Sequence, residues 1–240
     1  MFKIRKRVCL RRLRFAHSPF LLMVFPMMIR ISLAAFCVCL LFGGVVVAQE
    51  DPPANSELVV DQSFDSDSLD SKWHINTGNW TVKDGVLKAS EVASDKHSAA
   101  ARFPVETNNA VYQLRFRLVD DVKAFHFGFD PAPGELDKKG HLFSVIITPG
   151  SWKIMKHVDK KNPKQDPNEV LASEEMSFEK DRWYTLRLTT WETYVTAKID
   201  GDKTLKASHP TFSVKKPTLV FRCQGDGVEV DDIKVWRQVK

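Results

Sequence analysis

Beyond residue 39 the chain contains a single cysteine, Cys223; the other three, Cys9, Cys37 and Cys39, all lie near the N-terminus. An intramolecular disulfide in the region after residue 39 is thereby excluded. Cys223, inside "LVFRC", reads as a small buried hydrophobe. No segment sustains a 3.6-residue apolar period, which excludes a helical fold. The seven histidines show no metal-ligand spacing, with His126, His141 and His157 well separated, and no serine sits in a nucleophile elbow.

Residues 1–48 lack aspartate and glutamate altogether while holding eight Lys or Arg. They end in a 17-residue apolar run, Ile31 to Val47, followed by Ala48. A basic segment, an apolar segment and a small-residue site predict a signal peptide cleaved near Ala48, hence an extracytoplasmic protein. The run is at the short limit for a membrane span, so membrane attachment is expected only if the leader stays uncleaved. Pro26 and Arg30 interrupt the apolar portion, and a start at Met27 or Met28 would leave a signal peptide of ordinary length.

The leader also disguises the charge. The chain has 35 basic and 30 acidic residues; with eight basic residues in the leader, the remainder carries 27 basic against 30 acidic. A slightly acidic domain has no use for nucleic acid as a partner. Residues 49–57, polar and Pro-containing, read as a tether, leaving residues 58–240 for one folded domain.

That domain alternates at period two. "VYQLRFRL" (111–118) puts Tyr112, Leu114, Phe116 and Leu118 on one face and Arg115 and Arg117 on the other. "AFHFGFD" (124–130) turns Phe125, Phe127 and Phe129 inward, against His126, Gly128 and Asp130. Asp84-Gly85 and Asp200-Gly201 are hairpin dipeptides. About a dozen short strands with closely spaced turns predict an all-β, two-sheet antiparallel jelly-roll sandwich. Two long charged loops, 130–141 and 156–169, stand out as candidates for function.

"SFDSDSLDSKWHINTGNWTVKDGVLKAS" (63–90) resembles the opening of concanavalin A-like (laminin G/glucanase) sandwiches. It is similar in particular to the secreted bacterial 3-keto-disaccharide hydrolases, loosely grouped with family-16 glycoside hydrolases. The shared pattern is a Phe-Asp start, a Trp about ten residues on, then Gly-x-Trp-x-Val-x-Asp-Gly-x-Leu. The closing "VEVDDIKVW" (228–236) resembles the last strand of such domains. The resemblance implies a jelly roll outside the cytoplasm with a carbohydrate or glycan as partner.

Family-16 hydrolases carry Glu-x-Asp-x-x-Glu, and retaining hydrolysis needs two carboxyls about 5–5.5 Å apart. "EVDDIK" supplies Glu229 and Asp231 but ends in Lys234, so this stretch is no catalytic pair. The apolar phase slips between Asp231 and Asp232, as a β-bulge would make it. Asp65 and Asp67, in "DSDSLD", with Asp231 and Asp232 are candidate ligands for a structural calcium, a hard cation that takes six to eight oxygens. Asp-Ser runs also cap turns. No cofactor is required.

The polar sheet face is the candidate ligand surface: Arg115, Arg117, His126, Asp130, Arg222 and Gln224, with Trp152 as a stacking platform and Lys156 beside it. Gly128 leaves room there for a sugar. The same residues also suit a solvated face. Two functions are compatible with this surface. One is a non-catalytic carbohydrate-binding or glycan-associated module, and the other a hydrolase of the 3-keto-disaccharide type. In the second, His126 and Asp130 flank the substrate, and Glu135 or Asp137 supplies the missing carboxylate. A purely structural adhesion module is a third.

Overall fold

The computed structural model describes residues 52–239; the leader, its cleavage site and the first residues of the tether lie outside the described residues. The chain runs through β1 (Ser56–Gln62), β2 (His74–Thr77), β3 (Asn79–Lys83), β4 (Val86–Ser90), β5 (Ala99–Thr107), β6 (Ala110–Leu118) and β7 (Val122–Phe129). It continues through β8 (Phe143–Thr148), β9 (Ser151–Lys156), β10 (Glu169–Glu175), β11 (Tyr184–Trp191), β12 (Tyr194–Ile199), β13 (Lys203–Ser208) and β14 (Lys216–Gln238). Two 3-10 turns are the only helical pieces among the described residues, and none is long and apolar enough to cross a membrane. β1 begins inside the segment read as tether, where Glu57 pairs with Arg237 at 2.9 Å.

All pairings are antiparallel and form two sheets. Sheet I has the order β2-β5-β14-β7-β8-β9-β10, and sheet II the order β13-β12-β11-β6-β14, with β4 and β1 along the far side of β14 and β3 outside β4. β14 belongs to both. Its 23 residues lie between β5 and β7 up to Cys223, then between β4 and β6 from Val228. The crossing is made at Gly225 and Gly227. Gly227 has φ +92°, and a β-carbon there would lie 2.6 Å from the Val119 carbonyl oxygen.

The alternation seen in the sequence buries one face of each sheet. Phe125, Phe127, Phe129 and Phe221 of sheet I meet Tyr112, Leu114, Phe116 and Val230 of sheet II. Ring centroids of Tyr112 and Phe129 are 4.7 Å apart, and those of Phe116 and Phe125 5.7 Å. Each such buried side chain contributes about 1.5–3 kcal/mol. The bulge expected in "VDDI" is present: β14 advances three residues from Asp231 to Lys234 while β6 retreats two, Arg115 to Gln113. Asp232 absorbs the extra residue at φ +48°, its amide donating to Asp231 Oδ1 at 2.7 Å.

Residues that carry the family resemblance are packing residues. The Trp73 ring lies 5.3 Å from Phe103 and 5.1 Å from Phe221, and Trp80 Nε1 donates to the Thr77 carbonyl at 3.1 Å.

Candidate functional site

The candidate ligand residues do not share one surface. Arg115 and Arg117 lie on β6 in sheet II, whereas His126, Asp130, Arg222 and Gln224 belong to sheet I. Alternation assigns a side chain to a face of its own sheet, and the same phase occurs in both sheets of a sandwich.

On sheet II the polar groups satisfy one another. Arg115 Nη1 sits 3.4 Å from Asp232 and 3.7 Å from Asp231. Arg117 pairs with Glu229, which Lys88 also approaches at 3.3 Å. Both guanidinium groups stack on Trp183, each 4.8 Å from the ring centroid. Burial raises the Asp231 carboxyl above its ordinary value, and the charges of Asp232 and Asp65 push it further the same way. The Asp65 carboxylate itself bonds locally, accepting from the Ser63 hydroxyl at 2.5 Å. Among the described residues no three His, Cys, Asp or Glu side chains are arranged to hold a metal ion. The calcium set Asp65, Asp67, Asp231 and Asp232 does not converge, and Arg115 supplies the positive charge beside the last two.

Two assignments are corrected outright. Trp152, expected to be a stacking platform, is fully buried, because it shares its strand face with Ile154 in the core. Lys156, on that same inward face, is 3% exposed; its ammonium pairs with Asp166 and donates to the Pro167 carbonyl at 3.1 Å. Burial lowers its pKa. Neither side chain can reach a ligand.

The face of sheet I turned away from the core is different. Across it, Lys153, Ile146, His126, Arg222 and Ala100 stand in one row, and Met155, Ser144, Gly128, Val220 and Arg102 in the next. Apolar Ile146, Val220 and Ala100 separate the polar groups. Gly128 does leave a gap, but Ser144 fills it: a β-carbon at 128 would lie 2.5 Å from the Phe143 carbonyl oxygen and closer still to the Ser144 hydroxyl. Ser144 Oγ in turn bonds His157 Nε2 at 2.8 Å. Both residues are buried, so the pair is no accessible nucleophile.

Asp130, the residue that follows β7, organises the rim. Its Oδ1 bonds His141 Nδ1 at 2.6 Å, and its Oδ2 accepts from Arg102 Nε at 2.9 Å. Burial opposes the charge on Asp130, but these two bonds outweigh it and hold the carboxyl below the usual range. The His141 ring meets His157 edge-on with centroids 5.4 Å apart. Three histidines dispersed in sequence thus gather, because β7, β8 and β9 are neighbours. His126 and His157 are each pushed down to about 3, chiefly by burial. The long loops are tied together above this rim. The Lys160 amide donates to the Lys139 carbonyl at 2.8 Å, and the Lys139 amide to Asp159 Oδ1 at 2.9 Å. Between them lies an open depression of about 270 Å³ lined by Arg102, Asp130, Lys139, Gly140, His141 and Lys160.

Asp130 is the one carboxylate in that lining. Asp137 is turned outward and pairs with Lys161, and Glu135 is exposed on the loop. Neither completes an acid/base pair with Asp130. Arg102, His141 and His157 were not anticipated. Arg102 sits in "AAARFPVE", where nothing distinguishes it from any solvated residue.

No protein-family model matches the chain, and a search of curated proteins returns no match. Solved structures do match in fold. A non-specific endo-β-1,3(4)-glucanase of family GH16, SCLam, superposes with TM-score 0.61 at 13% identity, covering 79% of this chain and 94% of that one. The laminarinase from Rhodothermus marinus gives 0.60 at 13% identity over 77% and 98%. A GlcNAcα1-4Gal releasing endo-β-galactosidase from Clostridium perfringens gives 0.60 at 12% identity over 80% and 65%. The fold is therefore a concanavalin A-like jelly roll.

Proposed function

We propose that this protein is an extracytoplasmic glycan-binding β-sandwich whose ligand lies on the outer face of sheet I, beneath the two joined loops. The observation that carries the reading is the Arg102–Asp130–His141 cluster at the edge of the depression, beside a half-buried Arg222. Fixed polar groups lining an open depression suit a sugar, which offers hydroxyls along its edge. Asp130, Arg222 and Gln224 keep the ligand-contact roles expected of them, whereas His126 is buried and stands behind them. The solved structures of like fold include glycan-acting enzymes, which agrees with this reading. The basic and apolar leader supports export.

A single carboxylate argues for binding over hydrolysis, which takes two. A second reading, a hydrolase of the 3-keto-disaccharide type, draws on the Asp130–His141 pair, since a carboxylate-oriented imidazole can serve as a general base. One experiment separates the two. The purified protein is incubated with polysaccharides, disaccharides and 3-keto-disaccharides; retention is read by affinity electrophoresis and released sugar by mass spectrometry. Retention without product, weakened by Asp130→Ala, supports the binding module. Product formation abolished by His141→Ala supports the hydrolase.

A further inference from the structure

We infer that the saccharide recognised on sheet I is acidic, carrying a carboxylate or a sulfate ester that pairs with Arg222 and Arg102. This inference rests on the glycan-binding reading and adds the charge of the ligand.

Arg222 is the central observation. It lies half-buried in the middle of the sheet, in register with His126 on one side and Ala100 on the other. Among the described residues it makes no hydrogen bond or ion pair, and its Nε is buried without a partner. Glu91 acts on it electrostatically without reaching contact. A guanidinium removed from water and left unpaired is costly, and proteins ordinarily match it with an anion. Arg102 is only partly used, with Nε on Asp130 and Nη1 on Asn76. Its second terminal nitrogen has no partner among the described residues. At the rim, Lys139 and Lys160 make no ion pair there either.

Arg102, Lys139 and Lys160 thus line the depression with one carboxylate, Asp130, and Arg222 stands on the same sheet face near Arg102, on a chain whose residues after the leader are net acidic. The excess is local. On sheet II, by contrast, Arg115, Arg117 and Lys88 each have an acidic partner. A planar guanidinium fork donates two parallel hydrogen bonds to a carboxylate or sulfate, a pairing that a neutral sugar hydroxyl cannot reproduce. The face is therefore matched to an anionic sugar ring.

The test compares binding of the purified protein to three probes: an oligogalacturonate, a sulfated galactan and a neutral β-1,3-glucan. One or both acidic probes should bind, more weakly at high salt. Arg222→Gln should weaken that binding about tenfold or more. Its Tm should not fall below that of the parent, because the guanidinium has no partner to lose. Lys206→Gln, an exposed change on sheet II, should leave binding unaltered. Retention by carboxylated or by sulfated probe alone identifies which anion is read. Binding of the neutral glucan and neither acidic probe would overturn the inference and leave the glycan-binding site standing. Equal losses in Arg222→Gln and Lys206→Gln would also overturn it, as diffuse attraction of a polyanion. If no saccharide binds, the glycan reading fails and this inference fails with it.

Discussion

The Ser144 hydroxyl occupies the space above Gly128, its cross-strand partner, and from there bonds His157 Nε2 at 2.8 Å. Gly128→Ala should therefore push Ser144 aside and break that bond. Overpacking of this kind costs about 1–3 kcal/mol. Chemical denaturation would register it as a lowered midpoint. A variant as stable as the parent would mean that the β7–β8 pair relaxes freely.

Acid should destabilise the domain well before its carboxylates titrate. His126 and His157 are held down to about 3, by burial first and by neighbouring charges second, including Arg222. In the unfolded chain each takes up its proton near 6.5. Across the window from about 3 to 6.5 the unfolded state binds protons that the folded state refuses. Stability is thus fully present above 6.5 and falls as pH drops, by about 1.4 kcal/mol per pH unit for each histidine. Melting curves at stepped pH should show the decline, and His126→Gln should make it shallower. A Tm constant over that window would refute the assignment.

Chelation should leave the melt where it is. With Arg115 3.4 Å from Asp232 and 3.7 Å from Asp231, the charge of that corner is met by the protein itself. EDTA is expected to shift Tm by less than about one degree, whereas loss of a bound calcium would lower it by several. A drop of that size, reversed by added calcium, would restore Asp65, Asp67, Asp231 and Asp232 as ligands.

Cys223 should be silent toward thiol reagents in the native state. Its side chain is fully buried, and burial drives the thiol up to about 12. Labelling should appear only with denaturant and should follow the unfolding transition. Rapid labelling of the folded protein would contradict the packing of β14.

What could be read from the amino-acid order was what depends on local pattern. Phe125, Phe127 and Phe129 announce their burial by alternation, and the slip in "VDDI" announces its bulge. Asp84-Gly85 marks the turn from β3 to β4. Sheet membership left no such trace. Arg115 and His126 lie eleven residues apart in consecutive strands, yet β6 and β7 are in different sheets, joined through β14. The gathering of His126, His141 and His157 required β7, β8 and β9 to be neighbours, which periodicity cannot report. Trp152 was misread because its strand has the same alternation whichever face is wet. Lys156 shows the same limit at a strand end, where an inward lysine is tolerated once Asp166 is folded back to meet it.

β14 makes the order of assembly unusual. It pairs with β1, β4, β5, β6 and β7, and until it is in place β5 and β7 in sheet I, and β6, β4 and β1 in sheet II, each present an open edge. The segment that closes both sheets lies after every strand it joins. Neither layer can be finished first, so the two must condense together, through contacts far apart along the chain. Such a chain folds late and slowly. Interrupting residues 216–238 would leave no half-molecule to fall back on.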